Sequence, residues 1–210
     1  MYFYPMKTIA ILSQKGGAGK TTLAINLSVA ASSAKKQSAI IDLDPQASSA
    51  NWHDAREQEI PVVVSAQPSR LNQVLEAANE AGASFVFIDS APHSESTALA
   101  AARAADLVLI PCRPAILDIR AISNTIDLVK LAGTQAAVVL NCVPPRGSLA
   151  DEAEEAVASY GVSLAPIRIG QRAAFVHSIT SGQAVHEYEP KGKAAEEITK
   201  LYKWIVKQVK

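Results

Sequence analysis

Residues 8–34, TIAILSQKGGAGKTTLAINLSVAASSA, form the segment that decides the fold. The apolar run TIAILS predicts a strand, and TTLAINLSVAASSA predicts a helix. The glycines of QKGGAGK fall in the turn between them, where backbone N–H groups and the positive end of the helix dipole face an anion. The segment therefore predicts a strand, a phosphate-binding loop and a helix in succession.

This loop departs from the ordinary phosphate-loop spacing at two positions. Gly-x4-Gly-Lys-Ser/Thr would place a glycine at position 14, where the chain has Gln14. A second lysine, Lys15, lies five residues before the expected Lys20. Lys20 is expected to neutralise the β and γ phosphates, and the hydroxyl of Thr21 is expected to bind Mg²⁺. One phosphate site of the ordinary kind does not need the second lysine.

Apolar runs alternate with alanine-rich helical stretches along the rest of the chain. The predicted strands are KTIAILS, SAIIDLD, PVVVSA, FVFIDS, DLVLIP and AAVVLN, with a weaker one near VSLAPI. Helices are predicted near 20–34, 69–81, 95–104, 117–131 and 149–160. This alternation, with strands apolar almost throughout, predicts an α/β fold: a doubly wound, mostly parallel sheet with helices on both faces. We expect residues 1–210 to form a single P-loop NTPase domain.

Acidic residues at two predicted strand ends support a nucleotide site. Asp42 and Asp44 end IIDLD, and Asp89 ends FVFID. Carboxyl ends of parallel strands meet at the ligand crevice, where a carboxylate can hold a metal ion or orient a water molecule. Beside a phosphate loop, these three carboxylates predict a Mg-nucleotide site.

Composition excludes several other classes of protein. With 49% hydrophobic residues in 210, the chain can bury a sizeable core. We expect no membrane span, because no apolar run approaches the required length, and MYFYPMK lacks the apolar core of a secretory signal. Cys112 and Cys142 are too far apart for a CxxC motif and are expected to be buried thiols. A cytoplasmic location is therefore expected.

Charge is balanced overall but not along the chain. The 20 basic and 20 acidic residues cancel, whereas residues 163–210 carry eight basic and four acidic residues. Basic residues gathered on one face can bind nucleic acid even in a neutral protein. The positions that we assign to such a face are Arg168, Arg172, Lys191 and Lys193.

The motif KGGAGKTT resembles the deviant Walker A motif of the ParA and MinD class of ATPases. DLDPQASSANW is similar to the second motif of this class, FVFIDSAP to its Walker B strand, and residues 172–202 to its C-terminal signature. The resemblance covers nearly the whole chain and is strongest to short ParA-type partition proteins, which lack an N-terminal DNA-binding extension.

Several residue roles are implied by this resemblance. Lys15 would be the signature lysine that reaches the phosphates held by a partner subunit, Asp44 would position the attacking water, and Asn141 would read adenine. SAPHSES would be the segment that senses the γ phosphate. Asp42 and Asp89 would serve the Mg²⁺ shell. The ATP-binding residues implied are Lys15, Gly16, Gly17, Ala18, Gly19, Lys20, Thr21, Thr22 and Asn141.

The resemblance also implies a function and partners. An ATP-dependent homodimer would bind nonspecific DNA over the nucleoid, hydrolyse Mg-ATP slowly and move a plasmid, a chromosome or another cargo. A centromere-binding protein of the ParB type, or a cargo adaptor, would stimulate hydrolysis.

Three alternatives stay open at the level of sequence. A MinD-like membrane ATPase would need the apolar face of the last helix, formed by Leu201, Tyr202, Ile205, Val206 and Val209, although that face equally suits packing on the core. An iron–sulfur reductase would need cluster-binding cysteines, which LIPCRP and LNCVPP do not resemble. An amidoligase relative would need a substrate pocket that the sequence does not reveal.

Overall fold

The computed structural model describes residues 5–210 and has one seven-stranded sheet with helices on both faces. Residues 1–4, part of the stretch used against a secretory signal, lie outside the described residues. The strands are β1 (Lys7–Ile11), β2 (Ser38–Asp42), β3 (Val62–Ser65), β4 (Phe85–Asp89), β5 (Leu107–Cys112), β6 (Ala136–Leu140) and β7 (Ser163–Leu164). The helices are α1 (Lys20–Ser33), α2 (Ser48–Asp54), α3 (Leu71–Glu80), α4 (Glu95–Ala104), α5 (Ile116–Ala132), α6 (Leu149–Ala158), α7 (Ala173–Thr180), α8 (Val185–Tyr188) and α9 (Lys193–Gln208).

All the strand pairs are parallel, in the order β3-β2-β4-β1-β5-β6-β7. β1 lies between β4 and β5, so the chain leaves the centre of the sheet in both directions. Asp89 lies opposite Ile11 on one side and Asp42 on the other. A ligand crevice in such a sheet opens at the carboxyl ends of the strands, where the strand order reverses. The topology therefore places the acidic strand ends beside the phosphate loop.

Two apolar layers cover the sheet. One contains Ile9 and Ile11 of β1 with α1 and α9, and the other contains Ala10 and Leu12 with α4, α5 and α6. Alternate side chains of a strand point to opposite faces, so burial on both faces requires an almost continuous apolar run. This confirms the predicted α/β fold.

The seven predicted strands are all present, including the weak one that becomes β7, and the five predicted helices are present, α4 with the predicted ends and the other four with ends shifted by one to a few residues. Sequence reasoning missed α2, α7 and α8. α2 has a tertiary cause: the carboxylate of Asp42 accepts hydrogen bonds from the amides of Ser49 (2.9 Å) and Ala50 (3.3 Å). A carboxylate near the N-terminus stabilises a helix. Because this carboxylate belongs to Asp42 at the end of β2, the residues next to α2 show no capping motif in the sequence.

The apolar face of α9 packs on the protein's own core. Leu201, Tyr202, Ile205 and Val209 are buried in the layer that contains α1, and Val206 is partly buried against it. The membrane-anchor alternative needed this face to be free, whereas the packing alternative predicted its burial. Among residues 5–210, helices with the length and apolarity needed to span a bilayer are absent.

Gly182 closes the turn after α7 against the end of α2. Its φ of +66° lies in the left-handed region, and a Cβ there would come within 2.8 Å of the carbonyl carbon of Ala55. Gly161 has nearly the same φ, +65°, but a Cβ there would meet no atom within 4 Å. The two glycines share the conformational requirement, and only Gly182 lacks space.

We expect Gly182→Ala to lower the free energy of unfolding by about 2 to 5 kcal/mol, because left-handed strain and overpacking add. Gly161→Ala, the matched control, should lose only about 1 to 2 kcal/mol from strain. Urea unfolding measures both. Equal losses in the two variants would show that the clash with Ala55 is relieved at no cost.

Candidate nucleotide-binding site

The loop between β1 and α1 has the geometry of an anion cradle. Gly17 and Gly19 adopt φ values of +72° and +93°, which side chains disfavour. α1 begins at Lys20 without a side-chain cap at Gly19 and without an acidic residue in its first turn. The N-terminal amides of α1 and its positive dipole end are therefore available to an anion.

Asn141 supports this loop from the end of β6. Its side chain is 4% exposed, and its Nδ2 donates a 2.7 Å hydrogen bond to the carbonyl oxygen of Ala18. A Cβ on Gly19 would clash with the same amide group. In this structure Asn141 fixes the shape of the phosphate loop, and its role in reading adenine stays a prediction.

Lys20 is a buried cation at the N-terminus of α1. It is 7% exposed, and its ammonium group has no ion-pair or hydrogen-bond partner among the described residues. Burial lowers the pKa of its ammonium group, while the charges of Asp89 and Asp44 raise it. A buried cation without a contacting partner is costly. A phosphate group in the adjoining loop would supply that partner.

Asp89 is the most buried carboxylate of the site. Its Oδ2 accepts a 2.8 Å hydrogen bond from the hydroxyl of Ser49, whereas its buried Oδ1 has no hydrogen-bond partner. The pKa of Asp89 is raised to about 6: burial is the main cause and the charge of Asp42 adds to it, while the Thr21 and Ser49 hydroxyls and Lys20 partly oppose the rise. An unpartnered carboxylate oxygen near the Thr21 hydroxyl fits a Mg²⁺ site.

Mg²⁺ at this site would depend on phosphate and water for most of its ligands. Within residues 5–210, groups of three or more His, Cys, Asp and Glu side chains able to hold a metal do not occur. Mg²⁺ in nucleotide sites commonly takes one or two protein ligands and fills the remainder with phosphate and water. Thr21 and Asp89 therefore suffice on the protein side.

Asp42 shapes the segment that carries Asp44. Its Oδ1 accepts a 3.0 Å hydrogen bond from the amide of Asp44, and its Oδ2 accepts those from α2. Burial raises its pKa, and these three backbone hydrogen bonds lower it. Since both oxygens already accept hydrogen bonds, Asp42 acts here as a structural support, and its place in the Mg²⁺ shell stays a prediction.

Asp44 lies at the rim of the site. It is half-buried, and its Oδ1 accepts a 2.9 Å hydrogen bond from the amide of Gln46. Its charge raises the pKa of Lys20, so the two groups are within electrostatic range. The arrangement leaves Asp44 near the phosphate loop with one carboxylate oxygen not used by the backbone, as a water-orienting residue requires.

Three further side chains contribute to the site but could not be identified from the sequence motifs. The hydroxyl of Ser49 donates a hydrogen bond to the carboxylate of Asp89, and Asp118 of α5 forms a 2.9 Å ion pair with Lys15. A guanidinium nitrogen of Arg113, in the loop after β5, would lie 3.5 Å from a Cβ on Gly17. These residues come from three segments that only the sheet brings together.

Two cations of the predicted basic face form ion pairs in the structure, and the role of this face in DNA binding stays a prediction. Arg168 pairs with Asp151 and Glu154, each at 2.6 Å, and Arg172 pairs with Glu197. Two of the four assigned cations are therefore neutralised within the fold. Lys191 and Lys193 are exposed, as expected.

The titration of Asp89 predicts a pH-dependent stability. Between its ordinary pKa of 3.8 and about 6, the folded protein binds a proton that the unfolded chain releases. Stability contributed by the protonated carboxyl is therefore lost as the pH rises through this range. The rise in the pKa of Asp89 from 3.8 to about 6 corresponds to about 3 kcal/mol of unfolding free energy.

We expect Asp89→Asn to gain stability relative to the wild type by about 3 kcal/mol between pH 4 and pH 7, because the amide cannot ionise. Urea unfolding across this range, without nucleotide, measures the difference. Asp127→Asn, at an exposed position of α5, is the control. Parallel profiles for wild type and Asp89→Asn would mean that the folded site accepts the charge without cost.

Comparison with known proteins agrees with this geometry. Residues 9–185 match the CbiA family, the CobQ/CobB/MinD/ParA nucleotide binding domain. The maintenance of carboxysome distribution protein A of Gloeobacter kilaueensis is 31% identical over 210 residues, covering 98% of this chain and 94% of that protein. Chromosome partitioning protein ParA of Myxococcus xanthus is 27% identical, covering 73% of this chain and 71% of that protein. The septum site-determining protein MinD of Pyrococcus horikoshii, solved with Mg-ADP, has a TM-score of 0.78 at 20% identity, covering 95% and 96% of the two chains.

The parallel sheet, the glycine loop at its centre and the buried Lys20 define a P-loop nucleotide-binding protein. The chain belongs to the CobQ/CobB/MinD/ParA family of nucleotide-binding domains. The predicted resemblance to ParA-type P-loop ATPases is confirmed.

Proposed function

We propose that this protein is a Mg-ATP-dependent ATPase that dimerises with ATP and positions a large cellular cargo over nonspecific DNA. The observation that carries the proposal is the second lysine of the loop, Lys15, which is only partly buried and lies outside the cradle that Lys20 serves. A cation at the rim of the site is available to phosphates held by another subunit.

Each residue of the proposed site has a separate role in ATP hydrolysis. The loop amides and Lys20 bind and orient the phosphates, the Thr21 hydroxyl and Asp89 would hold Mg²⁺, and Asp44 orients the attacking water. Mg²⁺ would neutralise charge on the phosphate oxygens. Phosphoryl transfer needs mainly positioning and charge stabilisation, so these groups suffice for slow hydrolysis without a covalent intermediate.

The cargo proposal rests on the relatives. The Gloeobacter protein, which matches almost end to end, distributes carboxysomes according to its name, and the Myxococcus protein partitions chromosomes. We favour an organelle-like cargo, moved through an adaptor protein, over a plasmid or chromosome moved through a centromere-binding protein. The burial of the apolar face of α9 argues against a membrane-bound mode.

Dimer formation is tested by light scattering with a nonhydrolysable ATP analogue and with ADP. We expect a dimer with the ATP analogue but not with ADP, because only the γ phosphate of the analogue adds the charge that a partner's Lys15 contacts. Lys15→Ala should reduce the dimer fraction, whereas Lys130→Ala, at an exposed position of α5, should not. An unchanged dimer fraction in Lys15→Ala would remove the intersubunit role.

The DNA proposal moves to the exposed side of α9. Lys203, Lys207 and Lys210 are exposed near the end of the chain, and among the described residues they have no ion-pair partner. Lys200 precedes them on the same side but pairs with Glu196 at 2.7 Å. The four-residue spacing of Lys203 and Lys207 places them on one face of α9, and Lys210 lies two residues beyond the end of this helix. With Lys191 and Lys193, this row supplies a sequence-independent phosphate-binding surface.

Fluorescence anisotropy on random duplex DNA across a salt series tests this surface. Replacing Lys203, Lys207 and Lys210 with Ala should weaken binding of the analogue-bound dimer and flatten the log–log salt slope by about 0.9 for each DNA phosphate that is no longer neutralised. The matched control replaces three exposed cations of α4 and α5, Arg103, Arg120 and Lys130. DNA binding that does not change with salt concentration, or an equal loss of binding in the control, would remove Lys203, Lys207 and Lys210 from the proposal.

A further inference from the structure

The first turn of α5 holds the lysine on which dimer formation depends. Nζ of Lys15 lies 2.9 Å from Oδ2 of Asp118, and the two side chains are 39% and 14% exposed. Lys15 belongs to the phosphate loop after β1, whereas Asp118 lies in α5, which follows the neighbouring strand β5. The loop lysine is therefore already engaged within its own subunit.

Asp118 is the fixed member of this pair. Its amide donates a 2.9 Å hydrogen bond to the carbonyl of Ala115, and its carboxylate lies in the first turn of α5. A carboxylate at that end of a helix is stabilised by the macrodipole. Lys15 precedes the exposed Gly16 and Gly17, and a Cβ on Gly16 would meet no atom within 4 Å. The Lys15 ammonium is carried on a flexible four-carbon stem beside this open space and can change rotamer, whereas the short Asp118 side chain is held at the first turn of α5.

The pair lies at the surface, where a partner could approach it. Ile116 and Leu117, directly before Asp118, are 59% and 68% exposed. Lys15 can therefore leave Asp118 without passing through the core. A lysine ammonium carries one positive charge, so the carboxylate of its own subunit competes with phosphates offered by another.

We propose that Asp118 is a positioning residue that retains Lys15 within its own subunit and thereby sets the ATP concentration at which the dimer forms. The inference rests on the proposed intersubunit role of Lys15. Two Lys15–Asp118 pairs break for each dimer formed, so the restraint acts twice. Removing the carboxylate leaves both lysines free before the subunits meet.

The expected effect follows from the exposure of the pair. Partly exposed ion pairs contribute modestly, and two of them correspond to a shift of about 3- to 20-fold in the dimerisation equilibrium. Asp118→Asn should therefore dimerise at a correspondingly lower concentration of a nonhydrolysable ATP analogue. Asp127→Asn, on the same helix and exposed, should match the wild type.

Light scattering across a titration with the analogue measures the dimer fraction of wild type, Asp118→Asn and Asp127→Asn. Thermal unfolding checks that each variant is folded. If Asp118→Asn is unstable, Asp118→Ser keeps a side chain suited to a helix N-terminus without the charge. A half-dimerisation concentration for the charge-removed variant that equals or exceeds that of Asp127→Asn overturns the inference.

A double substitution separates this inference from the proposed function. If Asp118 acts through Lys15, Asp118→Asn should have no effect in a Lys15→Gln background, whereas an equal shift in both backgrounds would indicate a merely structural effect and overturn the inference. If Lys15→Gln dimerises as the wild type does, the intersubunit role of Lys15 is itself wrong, and the inference falls with it.

Discussion

Replacing Lys20 with Ala is expected to lower the affinity for Mg-ATP by about 100- to 1000-fold. Lys20 is a buried ammonium at the N-terminus of α1 without an ion-pair partner among the described residues. Truncating one side of a desolvated charge pair costs about 3 to 4 kcal/mol, which corresponds to this loss of affinity. Isothermal titration calorimetry with a nonhydrolysable ATP analogue measures it.

Two controls accompany this measurement. Lys130→Ala removes an exposed cation from α5 and should leave nucleotide affinity unchanged. Lys15→Ala should retain most of the affinity of a single subunit, because its contact is proposed to be made across a dimer. If Lys20→Ala binds within a few-fold of the wild type, the loop amides carry the phosphate interaction alone and the buried lysine has another purpose.

Replacing Asp44 with Ala is expected to reduce hydrolysis by about 100-fold or more, the usual loss when a group that orients or deprotonates the nucleophile is removed. Binding and dimerisation should persist, because the loop, Lys20 and Asp89 remain in place. Single-turnover release of phosphate measures the chemical step, and light scattering with ATP measures the dimer.

Asp54→Ala is the matched control, since Asp54 is an exposed carboxylate at the end of α2. It should hydrolyse ATP as the wild type does. A loss of nucleotide affinity in Asp44→Ala as large as that in Lys20→Ala would make Asp44 a binding residue. Asp42→Ala is unsuitable for this comparison, because Asp42 also caps α2 and holds the Asp44 amide.

Sequence reasoning recovered the strands because both faces of the sheet are covered. Each strand needed an almost continuous apolar run, and such runs are visible without any partner. The five predicted helices were recovered because alanine-rich stretches that start near Ser, Thr or Asp are also visible without any partner. α2 was missed because its stabilising cap comes from Asp42, whose contact with Ser49 requires the turn after β2.

Some residues of the candidate site could likewise be predicted from the sequence, and others could not. Lys20, Thr21 and the loop glycines could be predicted from one segment, because local backbone geometry creates the cradle. The support that Asn141 gives the loop joins positions 123 residues apart and leaves no local trace. The ion pair of Arg172 with Glu197 arises in the same way, when the start of α7 and the first half of α9 bring distant charges together.

The sequence by itself determined the seven strands, the helices α1, α3, α4, α5 and α6 between them, the phosphate loop and the family to which the chain belongs, because each depends on residues that are neighbours along the chain. Only the tertiary structure decided which carboxylate forms an ion pair with Lys15, which described cations of the C-terminal segment form ion pairs, and where the apolar face of α9 packs. Those properties depend on pairs of side chains that the strand order brings together, and charge pairing and burial are set by distance in space.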